Sequence, residues 1–429
     1  MKTIQVGILG LGTVGGGTFQ VLRKNKDLIE KRLGAHLHIK AIATRTPSRA
    51  ANWDCPAELV SDDPDLVLND PQIDIVAELI GGIEPARDFV LRALKSGKSV
   101  VTANKELVAK HGPQLRAAAD EAGVDLLFEG AVGGGIPLIK PLRESLAGNS
   151  IEEVIAILNG TTNFILSKMT REGADYGAVL AEAQSLGYAE AEPSADVDGF
   201  DTQYKLAIVA GIAFDTPVDL RDIPREGITG VSARDIEYAG ELGYAIKLLA
   251  LARRGSDDSL ELRVHPALLP QSHPLASVNE AFNAVWMRGD AVGETMFYGR
   301  GAGAHPTGSA VVGDLIEAAK NRLRGVRNLD HAPTLKARML PFEDSKTRFC
   351  VRMQVKDKPG AIARIATILG ECGVSIESIM QKRTEHGEAE IFWMTHQTTQ
   401  REMTDSLAGF AGLEVVREVS SVLRVEGEG

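Results

Sequence analysis

In the run 196-DVDGFDTQYKLAIVAGIAF-214, three aspartates and a lysine stand directly ahead of a long apolar stretch. Asp201 and Lys205 are four apart, so on a helix they share one face; as a surface pair they would stabilise it by only about 0.2–0.5 kcal/mol. Leu206, Ala207, Ile208, Val209 and Ala210 follow, which predicts a buried helix, and Glu190, Glu192, Asp196, Asp198 and Asp201 precede its interior. Charges at the mouth of a buried helix lose solvation and need mutual pairing or a ligand to offset the loss. A bound amino acid would meet that need, its ammonium facing the carboxylates and an oxygen facing the lysine. Burial would pull the lysine pKa down from about 10.4 while the carboxylates would push it up.

A second candidate set is Gly10-Leu11-Gly12-Thr13-Val14-Gly15, directly after the apolar run TIQVGIL. Between a strand and a helix, G-x-G-x-x-G allows a tight turn and a close approach of backbone to a pyrophosphate, whose charge faces the helix N-terminus. An NAD site would carry Asp or Glu at the end of the second strand. This chain has Ala43-Thr44-Arg45-Thr46 there, with Ser48 and Arg49 nearby. Arg45 suits a 2′-phosphate through a charge-assisted bidentate bond, so NADP(H) is favoured over NAD(H). Thr102, Asn104 and Lys105 in VVTANKEL fall at the C-terminal end of a predicted strand, the ligand-binding edge of an open α/β sheet. Glu129 leads the glycine-rich FEGAVGGGIPLI, 128–139. Its carboxylate and the loop carbonyls could coordinate a hard cation, although a loop of this kind is more often a hinge or a place of close packing. No zinc-ligand spacing and no Ser–His–Asp arrangement competes for the chemistry.

The elements that must position these residues alternate. TIQVGIL, HLHIKAIATR, IDIVAEL, KSVVTAN and VDLLFEG read as strands, separated by helical patterns, the first running from about Thr13 to Leu33. Such alternation predicts a Rossmann-type, doubly wound parallel sheet over residues 1–135. Residues 136–330 read as a central α+β catalytic and dimerisation domain, with GRGAG introducing a helix at 309–325 that packs back toward the nucleotide domain. Residues 331–346, rich in proline and charge, read as a linker. Residues 347–427 follow the order βαββαβ, the ferredoxin-like pattern. The fold class is therefore α/β with two further domains.

Bulk properties narrow the function. The 429 residues suffice for two or three cores. A net charge of −11 and 5% aromatic residues argue against a nucleic-acid surface. Cys55, Cys350 and Cys372 are widely spaced, which fits free thiols in a reducing cytoplasm. Met1 leads straight into a strand, and no apolar stretch of membrane-spanning length occurs, so neither a signal peptide nor a membrane role is expected.

The ordered motifs GLGTVG, TANKEL, FEGAVGGGIP, LNGTTNFIL, the run from Gly187 to Glu190 through DVDGFDTQYKLAI, and GRGAGAHPTGSAVVGD resemble homoserine dehydrogenase over residues 1 to about 330. The tail, with Asp357-Lys358-Pro359-Gly360 opening its helix, resembles an ACT domain, an amino-acid-sensing module. The resemblance implies NAD(P)H-dependent interconversion of L-aspartate 4-semialdehyde and L-homoserine, on the route to threonine, methionine and isoleucine. It implies Lys205 as proton donor to the aldehyde oxygen and Lys105 beside the nicotinamide. Glu190, Asp201 and Asp196 would hold substrate, with Gly187 at the pocket. Gly303 would approach the cofactor, and a sodium-like ion would use Glu129 and the carbonyls of Val132, Gly134 and Ile136. A homodimer or homotetramer and an amino-acid effector, threonine by pathway logic, are further expectations. Two rival readings are another ACT-bearing dehydrogenase, acting for example on a 2-hydroxy acid through a histidine–carboxylate pair, and a non-enzymatic metabolite sensor.

Overall fold

Burial on both faces explains the near-continuous buried runs IVAE and SVVT, whereas HLHIKAIA alternates and is only partly buried. The computed structural model describes residues 1–328, 335–383 and 387–427. Its contacts divide into two units: Met1–Glu152 with Asp201–Arg221 and Phe282–Lys336, and Glu153–Phe200 with Asp222–Ala281 and Ala337–Gly429.

The first unit is built on six parallel strands, β1 (Thr3–Leu9), β2 (His36–Ala43), β3 (Val60–Ser61), β4 (Ile75–Glu78), β5 (Ser99–Thr102) and β6 (Leu126–Leu127), in the order β3-β2-β1-β4-β5-β6. The order reverses between β1 and β4, which opens a crevice at their carboxyl ends. There Leu9 pairs with both Ala43 and Glu78, and Glu78 pairs with Thr102. The expected long first helix is two helices, Thr13–Lys24 and Lys26–Leu33, because Asn25 leaves helical geometry at φ −105, ψ 17. Helix Ala304–Arg324 packs on Thr13–Lys24, and Val311, Val312, Leu315, Ala318 and Ala319 enter the same core as Ile8, Leu11 and Phe19. Strands Phe282–Gly289 and Gly293–Arg300 form an antiparallel hairpin in this unit.

The second unit carries a mixed sheet whose neighbours run Ile151–Ile157, Tyr244–Arg254, Ser259–Pro270, Val416–Val425, Lys346–Lys356, Glu388–Thr395 and Ile376–Arg383. Its last four strands, with helices Ala361–Glu371 and Gln400–Phe410, make the ferredoxin-like tail around Phe349, Val351, Ile365, Trp393 and Phe410. The tail joins the rest by a short parallel pairing of Arg424 and Val425 with Ala267 and Leu268. Buried charge accompanies the joint: Glu426 accepts from Arg263 at 2.8 Å, and Arg424 donates to Glu226 at 2.9 Å. The expected 331–346 linker lies partly outside the described residues; of the remainder, Arg338 and Met339 pair with Ser259 and Leu260. Among the described residues, no helix is long and apolar enough to cross a membrane.

Candidate active site

The phosphate turn follows from three glycines that do different work. Gly10 has φ +101, and a Cβ there would stand 2.6 Å from the Leu79 carbonyl oxygen. A Cβ on Gly15 would meet the Gly10 oxygen at 2.0 Å. Gly12 is open: the nearest atom to its imagined Cβ is an Arg49 guanidinium nitrogen at 3.9 Å. Leu11 is buried beneath the turn, and the helix begins at Thr13 without a side-chain cap, which leaves the amides of Thr13, Val14 and Gly15 for a ligand. An open backbone edge at a helix N-terminus, with no acid in the first turn, fits a pyrophosphate. Arg45 is exposed in the turn after β2.

Gly16 and Gly17, which follow Gly15 directly, do not lengthen the phosphate turn, since both already lie inside helix Thr13–Lys24. They are contact points. A Cβ on Gly16 would fall 2.0 Å from the Trp53 ring, and one on Gly17 would fall 2.0 Å from the Ala304 oxygen. Gly308 repeats the device from the facing helix, 2.7 Å from the Gly17 backbone. Gly303, at φ +120, precedes that helix, and Gly301 has no room for a side chain because the Asn283 carboxamide lies 2.1 Å from its imagined Cβ.

Strand β5 ends at Thr102, and Asn104 caps the next helix, Lys105–Ala122, its side chain accepting from the Leu107 amide at 3.1 Å. Lys105 is therefore the first helical residue, at the carboxyl edge of the sheet. Its ammonium lies 2.8 Å from Asp201 Oδ1, and the Lys205 ammonium donates to Asp201 Oδ2 at 2.6 Å. One buried carboxylate thus clasps two lysines. Asp201 and Lys205 share a face of helix Phe200–Ala213, and their side chains are 6% and 9% exposed; that of Lys105 is 45% exposed. Burial alone would raise the Asp201 pKa; the charges of Lys205 and Lys105 outweigh it and hold the carboxyl well below its ordinary range. At neutral pH the group is an anion between two cations, which suits chemistry at a polarised oxygen.

The other acidic candidates belong to the second unit. Gly187 has φ +77 just after helix Tyr176–Ser185. Glu190 is exposed, with its main-chain oxygen accepting from Gln184 at 3.0 Å. Asp196 is half-buried and accepts from Asn159 at 2.7 Å; Asn159 also caps helix Gly160–Glu172. The structure brings Lys105, Asp201 and Lys205 together within one unit, and Gly187, Glu190 and Asp196 belong to the other unit.

The glycine-rich loop after Glu129 is tightly held. Both carboxylate oxygens of Glu129 accept main-chain N–H groups, from Leu138 at 2.5 Å, Ile139 at 2.9 Å and Lys140 at 2.7 Å. That carboxylate is a loop fastener. The carbonyls of Val132, Gly134 and Ile136, all buried, receive no hydrogen bond among the described residues. Unclaimed carbonyl oxygens are hard donors of the kind that suit an alkali or alkaline-earth cation. Glu78, a wholly buried acid inside the strand IVAE, is not among the candidates, because an acid within the predicted strand IDIVAEL carries no sign in sequence of which way it faces.

The chain also matches known proteins over its whole length. Residues 10–129 match the family described as homoserine dehydrogenase, NAD binding domain; residues 137–316 match homoserine dehydrogenase; residues 351–403 match the ACT domain. The chain is 46% identical to homoserine dehydrogenase of Synechocystis, over 99% of each. A crystal structure of a homoserine dehydrogenase from Thiobacillus denitrificans superposes with a TM-score of 0.94 at 43% identity, covering 99% of both chains. A hyperthermophilic archaeal homoserine dehydrogenase in complex with NADPH matches 74% of this chain and 97% of its own, with a TM-score of 0.63 and 27% identity. With a nicotinamide-dinucleotide domain ahead and an ACT domain behind, the chain belongs to the homoserine dehydrogenase family and is an oxidoreductase.

Proposed function

We propose that Lys105, Asp201 and Lys205 form the reacting centre for the reversible reduction of L-aspartate 4-semialdehyde to L-homoserine, with NADP(H) preferred over NAD(H). The observation that carries this reading is the clasp of two ammonium groups on one buried carboxylate at the sheet's carboxyl edge. The reduced nicotinamide, when bound, supplies the hydride. Negative charge then builds on the aldehyde oxygen, and the Lys205 ammonium stabilises it and gives it a proton, a form of catalysis typically worth about 10²–10⁴-fold. Asp201 holds both lysines charged and aligned, and Lys105 stands beside the nicotinamide. Asp201, Glu190 and Asp196 hold substrate, with Gly187 at the pocket.

Gly10 through Gly15, with Thr102 and Gly303, receive the dinucleotide, and Arg45 meets a 2′-phosphate. The archaeal relative's NADPH supports that preference. A sodium-like ion is held by the loop of Glu129, Val132, Gly134 and Ile136, mainly through carbonyl oxygens, since the Glu129 carboxylate is already engaged. In the same reading, residues 1–135 bind the dinucleotide, 136–330 bind substrate and build a homodimer or homotetramer, 331–346 connect, and 347–427 sense an amino acid, threonine first. The enzyme works in the cytoplasm, in threonine, methionine and isoleucine biosynthesis.

Mixing the protein with L-homoserine and NADP⁺ or NAD⁺ and following reduced nicotinamide tests the reaction and the cofactor together. Reduction with both substrates present, faster with NADP⁺ and losing that bias in Arg45→Ala, is expected. No reduction with either dinucleotide would refute the reading, and a bias unchanged by Arg45→Ala would remove Arg45 from it.

A further inference from the structure

Glu78 is the most buried carboxylate near the crevice, with no exposed surface, at the carboxyl end of β4. An acid buried in the middle of a parallel sheet is costly unless each oxygen is used. Here each is used. One oxygen accepts from the Ile80 amide at 2.8 Å and, at 3.4 Å, from Gly81; the other accepts from the Thr102 hydroxyl at 2.6 Å. The Thr102 oxygen in turn accepts from the Asn104 amide at 3.0 Å. The Asn104 side chain donates to the Gly82 carbonyl at 2.6 Å while capping the helix that Lys105 begins. Gly81 and Gly82, at φ +83 and +73, form a left-handed turn that these bonds fix.

The register gives the network its meaning. Glu78 pairs with Leu9, the last residue before the phosphate turn, on one side and with Thr102 on the other. It lies at the strand reversal, where open α/β sheets bind their ligands. Its carboxylate bonds lead to the 80–82 turn and to the segment ending at Lys105. Burial raises its pKa, and the hydrogen bonds from Thr102, Ile80, Gly81 and Asn104 oppose that rise.

We infer that Glu78 is a positioning residue of the dehydrogenase reaction: through Thr102 and Asn104 it sets where the Lys105 ammonium stands against Asp201. This rests on the role given to Lys105 above. A misplacement of about 1 Å in a reacting constellation costs up to about a hundredfold in rate. Glu78→Gln keeps the size but removes the charge and one acceptor: with its oxygen on the Ile80 amide, its NH2 faces Thr102, whose hydroxyl must turn from donor to acceptor while still serving the Asn104 amide.

The test is a double-variant cycle on kcat for homoserine oxidation, scored per active site by dinucleotide titration. Lys105→Ala and Glu78→Gln are each expected to lower kcat by at least about tenfold, with the dinucleotide Kd of Glu78→Gln within about threefold of the parent. The double variant is expected to fall no more than about threefold below Lys105→Ala, because Glu78 then has nothing left to position. Fully additive losses, or a parental kcat in Glu78→Gln, would overturn the role of Glu78 alone. A parental kcat in Lys105→Ala would instead overturn the reading of Lys105 on which it rests. If Glu78→Gln does not fold, Thr102→Val removes the relay hydroxyl and enters the same cycle, read on kcat at saturating dinucleotide because Thr102 also stands in the proposed dinucleotide site, with the same expected pattern of kcat losses.

Discussion

Removing one lysine at a time separates catalysis from support, because the two cations on Asp201 are unequally buried. Each Nζ–O contact, at 2.6 and 2.8 Å, corresponds to about 6 kcal/mol of attraction at an effective dielectric of about 20, before desolvation is charged against it. For Lys205, with a side chain only 9% exposed, breaking a buried pair typically costs about 3–5 kcal/mol. The retained Lys105 partner favours the lower end, about 3 kcal/mol. Lys105 is 45% exposed, so solvent screens its share and its loss should cost about 1 kcal/mol or less. Lys205→Met should therefore destabilise the protein clearly more than Lys105→Met in urea unfolding. Both should lower kcat, Lys205→Met by at least about a hundredfold, with NADPH binding, followed by fluorescence, within about threefold of the parent. A Lys205→Met enzyme turning over within tenfold of the parent, or a Lys105→Met protein less stable than Lys205→Met, would refute this assignment of roles.

Three further outcomes follow from other parts of the molecule. Gly17→Ala forces a Cβ to 2.0 Å from the Ala304 oxygen and should cost about 1–3 kcal/mol by prising apart two helices; an unchanged Tm would show that the crossing is looser than drawn. Glu426→Ala leaves the buried Arg263 guanidinium, 2.8 Å from Glu426, with Glu261 at 3.0 Å as a remaining carboxylate, and should lower stability by about 3 kcal/mol, read by calorimetry; a loss under about 1 kcal/mol would count against that joint. Lys247, buried among Asn163, Val278 and Asn279, has its pKa pulled down to about 8 by burial. The unfolded chain then binds more protons between about pH 8 and 10.4, so stability gains up to about 3 kcal/mol as pH rises through that window, and the penalty is full below it. Urea curves of the parent and Lys247→Met should converge or cross in that interval, and parallel pH dependences would contradict it.

The nucleotide-binding half was readable because its signals are local. TIQVGIL, the glycines behind it and the strand ending at Thr102 each depend on neighbours in sequence, as does the i, i+4 pair of Asp201 and Lys205. The second cation on Asp201 was not readable as a contact: Lys105 was a candidate by its place at a strand end, but only the fold brings its ammonium to that carboxylate. What the glycines at 16 and 17 make room for, Trp53 and Ala304, is likewise set by the fold and not by neighbours in sequence. Strands Tyr244–Arg254 and Ser259–Pro270 run eleven and twelve residues, yet YAIKLLALARR has an apolar run without alternation, and periodicity does not separate a buried strand from a buried helix there. Glu78 escaped notice because nothing in IVAE distinguishes a buried, fully bonded acid from a solvated one.

The central claim is that the Lys205 ammonium, held by Asp201, meets the oxygen that gains or loses a proton. A crystal structure of the protein with homoserine and an oxidised-nicotinamide analogue tests it most directly. The Lys205 Nζ is expected within hydrogen-bonding reach of the homoserine hydroxyl, about 2.7–3.2 Å, with the nicotinamide on the opposite side of that carbon. A homoserine hydroxyl lodged elsewhere, beyond reach of the Lys205 Nζ, would contradict it.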